Sequence, residues 1–122
     1  MTIDHVGIQV RDLERSRVFY SRALAVLGIT FIRDVGGWAG FGKDGCEEFW
    51  IGTRPTTPQS THVGFRAKTR EQVEQFYAGA LAAGGTSKSA PRLFPEYHPD
   101  FYAAMVLDPD GHNIEVVCHA PG

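Results

Sequence analysis

The sequence lacks the features that mark membrane proteins, disulfide-rich proteins and nucleic-acid-binding proteins. None of its apolar runs approaches the roughly 20 residues that span a bilayer. Its two cysteines, Cys46 and Cys118, lie far apart without a CxxC motif, which argues against a disulfide framework or a cysteine zinc site. A net charge of −2 gives no electrostatic reason to expect nucleic acid or an anionic membrane as a partner.

The remaining composition is that of an ordinary globular protein. Hydrophobic residues make up 43% and charged residues 21% of the 122 residues, a length that favours a single domain. The first ten residues, MTIDHVGIQV, follow a strand pattern and lack the basic-then-apolar layout of a signal peptide. We therefore expect a cytoplasmic protein.

An internal repeat is the strongest signal in the chain. Shifted by 57 positions, residues 5–29 align without a gap on residues 62–86, and ten of these 25 pairs are identical. Unrelated segments of ordinary composition would share about two. His5 and His62 are among the identical pairs, so the repeat places two histidines at equivalent positions.

The repeat predicts two modules with one plan. Module 1 spans about residues 1–53, a linker covers 54–60, and module 2 spans about 61–119. Each module reads as a strand, a helix and three shorter strands, with Asp12 and Thr69 as helix N-caps. The second module also carries the proline-rich segment Ala90–Asp100, which we expect to be an irregular loop. The predicted fold class is α+β: two tandem βαβββ modules form a curved mixed sheet around a concave cleft, with the helices on its outer face.

The alternation of strand residues predicts which side chains line the cleft. Ile114 and Val116 should pack under a helix, which turns Glu115 to the opposite face of the last strand. The same argument turns His5 and His62 away from the helices. Two imidazoles and one carboxylate can hold a divalent first-row metal ion with positions open for substrate. Each residue alone is more often structural, so it is their shared face that favours a metal site.

The segments IDHVGIQVRDLERSRVFYSRALAVLGI, HVGFRAKTREQVEQFY and DPDGHNIEVV resemble the vicinal oxygen chelate superfamily, also called the glyoxalase/bleomycin-resistance/extradiol-dioxygenase superfamily. The resemblance covers nearly the whole chain and implies paired βαβββ modules that cup a metal site, commonly in a homodimer. It implies His5, His62 and Glu115 as metal ligands and a catalytic role for Glu115. Zinc, nickel, manganese and iron(II) are all candidates for the ion.

The superfamily has a fourth metal-ligand position, and there this sequence departs from the pattern. This ligand comes from the last strand of module 1, which reads CEEFWIGT and places Trp50 where glyoxalase I has a glutamate. Tryptophan cannot bind a metal ion, so glyoxalase I activity is not expected. A shift of this strand would bring Glu48 into the role instead. The indole of Trp50 either forms a stacking wall for substrate or fills the space of the missing ligand.

Further residues are candidates for substrate binding. Gln9 and Arg66 follow the two histidines on the concave face, and Arg66 could bind an anionic group. The long loop brings Tyr97, His98 and Tyr102 towards the last two strands, where they suit an entrance lid or merely a stiff cover over the sheet. His112, after the turn glycine, is predicted to be exposed and without a role.

Two functions stay open at this point. The first is a small metal-dependent enzyme, of lyase, thiol transferase or dioxygenase type, that polarises oxygen atoms of a small substrate. The second is a metal-free protein of the bleomycin-resistance type that binds a small molecule in the cleft. Either would act as a homodimer and without nucleic acid or membrane.

Overall fold

A computed structural model describes residues 4–53 and 60–122 of the chain. The predicted strand start at Ile3 and residues 54–59 of the predicted linker lie outside the described residues. Both modules follow the predicted strand–helix–three-strand plan. The elements are β1 (Val6–Gln9), α1 (Leu13–Ala23), a short 3-10 helix (Ala25–Leu27), β2 (Thr30–Val35), β3 (Trp38–Lys43), β4 (Cys46–Gly52), β5 (His62–Ala67), α2 (Arg70–Ala82), β6 (Thr86–Leu93), β7 (Tyr102–Leu107) and β8 (Asn113–Cys118).

The strands form two mixed sheets of four, one in each module. Their orders are β1-β4-β3-β2 and β5-β8-β7-β6. The first strand of each module runs parallel to the last, and the remaining neighbours are antiparallel. β1 and β5 are therefore edge strands of their sheets. The predicted α+β class with two tandem modules is confirmed.

Both helices begin at the predicted caps. The side chain of Asp12 accepts a hydrogen bond from the Arg15 amide at 3.1 Å, and Thr69 accepts one from the Gln72 amide at 3.1 Å. Each bond satisfies one of the amides that a helix leaves unpaired in its first turn. No helix in the described part of the chain is both long and apolar enough to cross a membrane.

The main apolar core contains side chains from both modules. Phe49 of β4 meets Phe65 of β5 edge to face, with ring centroids 5.3 Å apart. Phe19 of α1 reaches Gly85 in module 2, where a Cβ would lie only 2.8 Å from its ring. Gly85, three residues after the end of α2, must therefore stay a glycine for the two modules to pack this closely. All apolar residues predicted to lie under the helices in β8 are buried.

The structure corrects the extent of β6. The segment from Ala90 was predicted to be an irregular loop, but the strand continues to Leu93 and includes Pro91. Its pairing with β7 shifts register between Ser89 and Arg92, so Pro91 falls in a bulge on an edge strand. Proline is tolerated there because no ladder hydrogen bond is required from its nitrogen.

The structure also corrects the position of His112, which is 1% exposed rather than at the surface. Asp108 accepts hydrogen bonds from the amides of Asp110 and His112, which tightens the turn and directs the imidazole inward. The Thr61 amide donates to Nδ1 at 2.9 Å, so the ring proton is on Nε2, which donates to the Gln9 carbonyl at 2.6 Å. His112 therefore joins the end of β1 to the start of β5.

Candidate functional site

The concave face of module 2 carries a histidine–carboxylate pair. In the register of β5 and β8, His62 lies opposite Asn113 and Gly64 lies opposite Glu115. His62 Nε2 is 2.8 Å from Glu115 Oε1. Glu115 is only 7% exposed, whereas the His62 side chain is about half exposed. The pair therefore combines a buried carboxylate with an imidazole that is open to the cleft.

Space is left beside this pair by Gly64. A Cβ built on Gly64 would have the Glu115 carboxylate as its nearest neighbour, at 4.0 Å. This is an ordinary contact distance, so the region next to the two donor atoms is not filled by the protein. A small ligand could approach both side chains from this side.

Asn113 lies next to the other ring nitrogen of His62. Its Nδ2 lies 3.4 Å from His62 Nδ1 and 3.8 Å from the sulfur of Met105. Its Oδ1 is buried and has no hydrogen-bond partner among the described residues. An unsatisfied buried oxygen is costly, so it marks a place where a donor is missing.

His5 does not join this pair in a three-ligand group, although it lines the same cleft of about 270 Å³ as Gly64. Its Nδ1 is 2.7 Å from Asp4 Oδ1, and its side chain is about 60% exposed. Within residues 4–53 and 60–122, no group of three histidine, cysteine or acidic side chains is arranged to hold a metal ion. One chain thus brings together His62 and Glu115 of the predicted ligands, but not His5.

The register of module 1 places Trp50 at the counterpart of Glu115. Trp50 pairs with Gly7 as Glu115 pairs with Gly64, and these two glycines are equivalent in the repeat. Glu48 is two residues earlier on β4 and lines a cleft of about 270 Å³ together with His5. In the strand register, the position equivalent to Glu115 is therefore occupied by Trp50 and not by Glu48.

Two tryptophans cover the concave face of module 1. A Cβ on Gly52 would lie 2.4 Å from the Trp38 ring, and one on Gly40 would lie 2.7 Å from the Trp50 ring. Gly7 is also close to the Trp38 ring, at 3.3 Å. The indoles therefore lie flat over glycines of neighbouring strands. Sequence reasoning missed Trp38, although glycines in three adjacent strands were a signal for rings packed against the backbone.

These indoles border an open cleft of about 560 Å³. Its other lining residues include His5, Val35 and the carboxylates of Asp4 and Glu47. Backbone hydrogen bonding at Glu47 and its contact with the Arg33 guanidinium lower the pKa of the Glu47 carboxyl. The cleft thus has an aromatic wall and an ionised carboxylate.

The remaining predicted residues lie on both faces of module 2 and, for Gln9, at the end of β1 in module 1. Tyr102 pairs with Cys118 and lies on the helix side, where its hydroxyl donates to Glu74 at 2.8 Å and the Arg70 guanidinium lies over its ring. The structure therefore places Tyr102 outside the cleft. Arg66 is exposed on the same strand as His62, and Gln9 is half-buried at the end of β1.

The loop residues Tyr97 and His98 pack on Phe101. The Tyr97 ring is 65% exposed and its centroid is 4.8 Å from that of Phe101. His98 stacks on His119 with their nearest ring nitrogens 2.9 Å apart. Burial, the positive charge of Arg66 and the neighbouring His98 together lower the pKa of His119. Sequence reasoning gave His119 no role, because its contact with the loop depends on the tertiary fold.

Comparison with known proteins agrees with this architecture. A sequence model of the Glyoxalase/Bleomycin resistance protein/Dioxygenase superfamily matches residues 2–116. A glyoxalase/bleomycin resistance protein from Albidiferax ferrireducens is 29% identical with a TM-score of 0.86, over 99% of this chain and 100% of that one. Glyoxalase I from Zea mays is 23% identical with a TM-score of 0.72, over 95% of this chain and 45% of that one, and shares the fold. A search of curated proteins gave no match.

Two mixed four-stranded sheets built from a βαβββ repeat, with a histidine–glutamate pair on one concave face, define a vicinal oxygen chelate fold. The chain belongs to the Glyoxalase/Bleomycin resistance protein/Dioxygenase superfamily.

Proposed function

We propose that the protein is a metal-dependent enzyme acting on a small molecule, with a site completed by a second copy of the chain. The observation that carries the proposal is the His62–Glu115 pair. Its two potential metal-binding atoms, Nε2 and Oε1, are 2.8 Å apart beside an open space. The repeat supplies His5 as the equivalent of His62, directly before a second edge strand. These three side chains form the ligand set.

The donor atoms of the pair fit a divalent ion. Nitrogen and oxygen ligands lie about 2.1 Å from such an ion, so two ligands at a right angle are about 3.0 Å apart. The 2.8 Å contact in the structure is a hydrogen bond, so the two side chains would have to separate by only about 0.2 Å to bind the ion. The unpartnered Oδ1 of Asn113 adds an acceptor next to His62, and a metal-bound imidazole commonly donates its other ring N–H to such an acceptor.

A second copy is the source of the third ligand. Among the described residues, β1 and β5 are each paired on one side only, so β1 of one copy can lie beside β5 of another. This arrangement would bring His5 of one chain towards His62 and Glu115 of the other. It accounts for a ligand set that the repeat predicts but that a single chain does not assemble. A homodimer with two equivalent sites follows from the two-fold symmetry.

The chemistry of the site follows from its residues. A bound divalent ion, whether zinc, nickel, manganese or iron(II), would supply Lewis acidity towards oxygen atoms of the substrate. Glu115 would bind through one carboxylate oxygen and is the carboxylate best placed to exchange a proton with substrate. Trp50 occupies the position of a fourth ligand and would instead stack on a flat part of the substrate.

The same position argues against glyoxalase I activity. In the resemblance to that enzyme, two glutamates bind the metal and take part in proton transfer. Here the register gives one of these positions to Trp50, which has no acidic or metal-binding group. Substrates whose reaction needs a second carboxylate at the metal are therefore not proposed.

A metal-free binding protein is the second candidate function. The observation in its favour is the pair of indoles that lie flat over glycines in module 1. Their cleft of about 560 Å³ also contains carboxylates of Asp4 and Glu47, so it suits a flat, positively charged molecule. This function would need neither His62 nor Glu115.

Metal content of protein purified without chelator separates the two functions. The parent should hold about one ion per chain, and Glu115→Ala should lose it because a buried carboxylate ligand is removed. Glu48→Ala, on the equivalent strand of module 1, is the matched control and should keep the ion. Absence of metal from the parent, with the protein folded, would refute the enzyme and favour the binding protein.

A further inference from the structure

Among the residues that the structure describes, Asn113 lies within hydrogen-bond distance of His62 Nδ1. The hydrogen bonding of its own side chain is incomplete. The side-chain nitrogen lies 3.4 Å from Nδ1, whereas the side-chain oxygen is buried without a partner. The backbone register fixes this contact, because Asn113 and His62 are paired directly across β5 and β8. The two residues therefore stay neighbours as long as the sheet is intact.

An ionised Glu115 favours one tautomer of His62 in the metal-free protein. An ionised Glu115 can only accept a hydrogen bond, so His62 Nε2 must carry the proton and donate to it at 2.8 Å. Nδ1 then has a lone pair, and the Asn113 amide donates to it. The side-chain oxygen of Asn113 consequently points away and finds no donor.

Metal binding requires the opposite tautomer. An ion on Nε2 needs the lone pair of that nitrogen, so the ring proton must be on Nδ1. A half-turn of the Asn113 amide exchanges its oxygen and nitrogen, which have nearly the same shape. Oδ1 would then accept a hydrogen bond from Nδ1, and the buried oxygen would gain its missing donor. No proton is gained or lost by His62 overall, since the proton only moves from one ring nitrogen to the other.

We propose that Asn113 is a positioning residue whose amide selects the tautomer of His62, donating to Nδ1 in the free protein and accepting from it when a divalent ion is bound. The inference rests on the proposed function, because it assigns His62 Nε2 to the ion. It explains why an amide stands at this buried position. An amide can take both roles, whereas a carboxylate can only accept and an apolar side chain can do neither.

The first test is the zinc affinity of variants, measured by competition with a chromogenic chelator. Asn113→Leu keeps the approximate volume but removes the acceptor, and it should weaken zinc binding by about 10- to 100-fold, as expected when a metal-binding histidine loses its hydrogen-bond partner. Asn113→Asp keeps the acceptor and should remain nearer the parent than Asn113→Leu. Met105→Leu, which changes the other neighbour of the amide, is the matched control and should bind zinc like the parent.

The second test reads the tautomer directly from the ¹⁵N NMR signals of His62, assigned with a His62→Gln variant. The metal-free parent should carry its proton on Nε2 and the zinc-loaded parent on Nδ1. Metal-free Asn113→Asp should carry a proton on Nδ1 as well as on Nε2, because each ring nitrogen then faces a carboxylate. Equal zinc affinity of Asn113→Leu and parent, or an unchanged His62 in Asn113→Asp, would overturn the role of Asn113 while leaving the metal site intact. A parent that binds no zinc would overturn both proposals.

Discussion

At the scale of single residues, both modules carry a histidine at the equivalent position, but they differ in the residue on the last strand. Glu115 and Trp50 occupy equivalent register positions, yet one carries a buried charge and the other a broad apolar ring. The position of Glu115 could be predicted from sequence because Ile114 and Val116 on either side are apolar. Strand alternation also places Tyr102 on the helix side, together with Ala104 and Val106. Its nearness to the proline-rich loop in the sequence suggested a role in the cleft instead.

The glycines under the indoles give a prediction at this scale. Gly52→Ala would place a methyl group 2.4 Å from the Trp38 ring, so the ring must leave the face of the sheet. We expect a loss of about 1–3 kcal/mol in the free energy of unfolding, which is typical of overpacking. Urea denaturation measures this loss, and Trp38 fluorescence should change with it.

Gly64→Ala is the control for this substitution. The nearest atom to its new methyl group would be 4.0 Å away, so no neighbour has to move. Its free energy of unfolding should stay within about 0.5 kcal/mol of the parent. Equal effects of the two substitutions would show that the indoles do not lie over the glycines.

At the scale of elements, the turn between β7 and β8 is also a link between the modules. Asp108 in this turn accepts a hydrogen bond from the Tyr20 hydroxyl of α1 at 2.7 Å, and His112 bonds to the Gln9 carbonyl of β1. The Asp110-Gly111 pair is a local sequence signal for this turn. Sequence reasoning predicted an exposed His112 because local patterns do not reveal that the other module covers the turn.

This link can be tested with a pair of tyrosines that are equivalent in the repeat. The hydroxyl of Tyr20 is buried on Asp108, whereas that of Tyr77 bonds to Ser87 near the surface. Tyr20→Phe removes a buried bond to a charged acceptor and should lower the free energy of unfolding by about 1.5–3 kcal/mol. Tyr77→Phe should cost less than about 0.5 kcal/mol. Thermal or urea unfolding of both variants gives the comparison.

The pH dependence of the same pair provides a second readout. Burial, and then the nearby charge and hydrogen bond of Asp108, raise the pKa of Tyr20 well above its ordinary value of 10.0. The folded protein therefore keeps this proton more tightly than the unfolded chain does. Its contribution to stability is present below pH 10 and decreases as the pH rises above that value. The parent should lose stability there more steeply than Tyr20→Phe, and identical slopes would contradict a buried, protonated Tyr20.

At the scale of the whole molecule, the repeat accounts for the architecture but does not determine how modules combine. The 25 aligned residues predict the strand and helix of each module and their shared inner face. They do not determine whether β1 meets β5 within one chain or across a dimer, because the edges are equivalent in either case. The core joins the modules through Phe49, Phe65 and the two helices. Among the described residues, it leaves each of these edge strands paired on one side only.

The central claim is that His5 of one chain completes the metal site formed by His62 and Glu115 of another. Its most direct test is to unfold and refold a mixture of His5→Ala and Glu115→Ala chains and to measure the bound metal. Each variant alone should hold little, because both sites of its dimer lack a ligand.

The refolded mixture should recover about one quarter of the parent's metal. Half of its dimers pair the two variants, and in each of these one of the two sites has all three ligands. Metal content that stays at the level of the separate variants, although mixed dimers form, would contradict a site shared between chains.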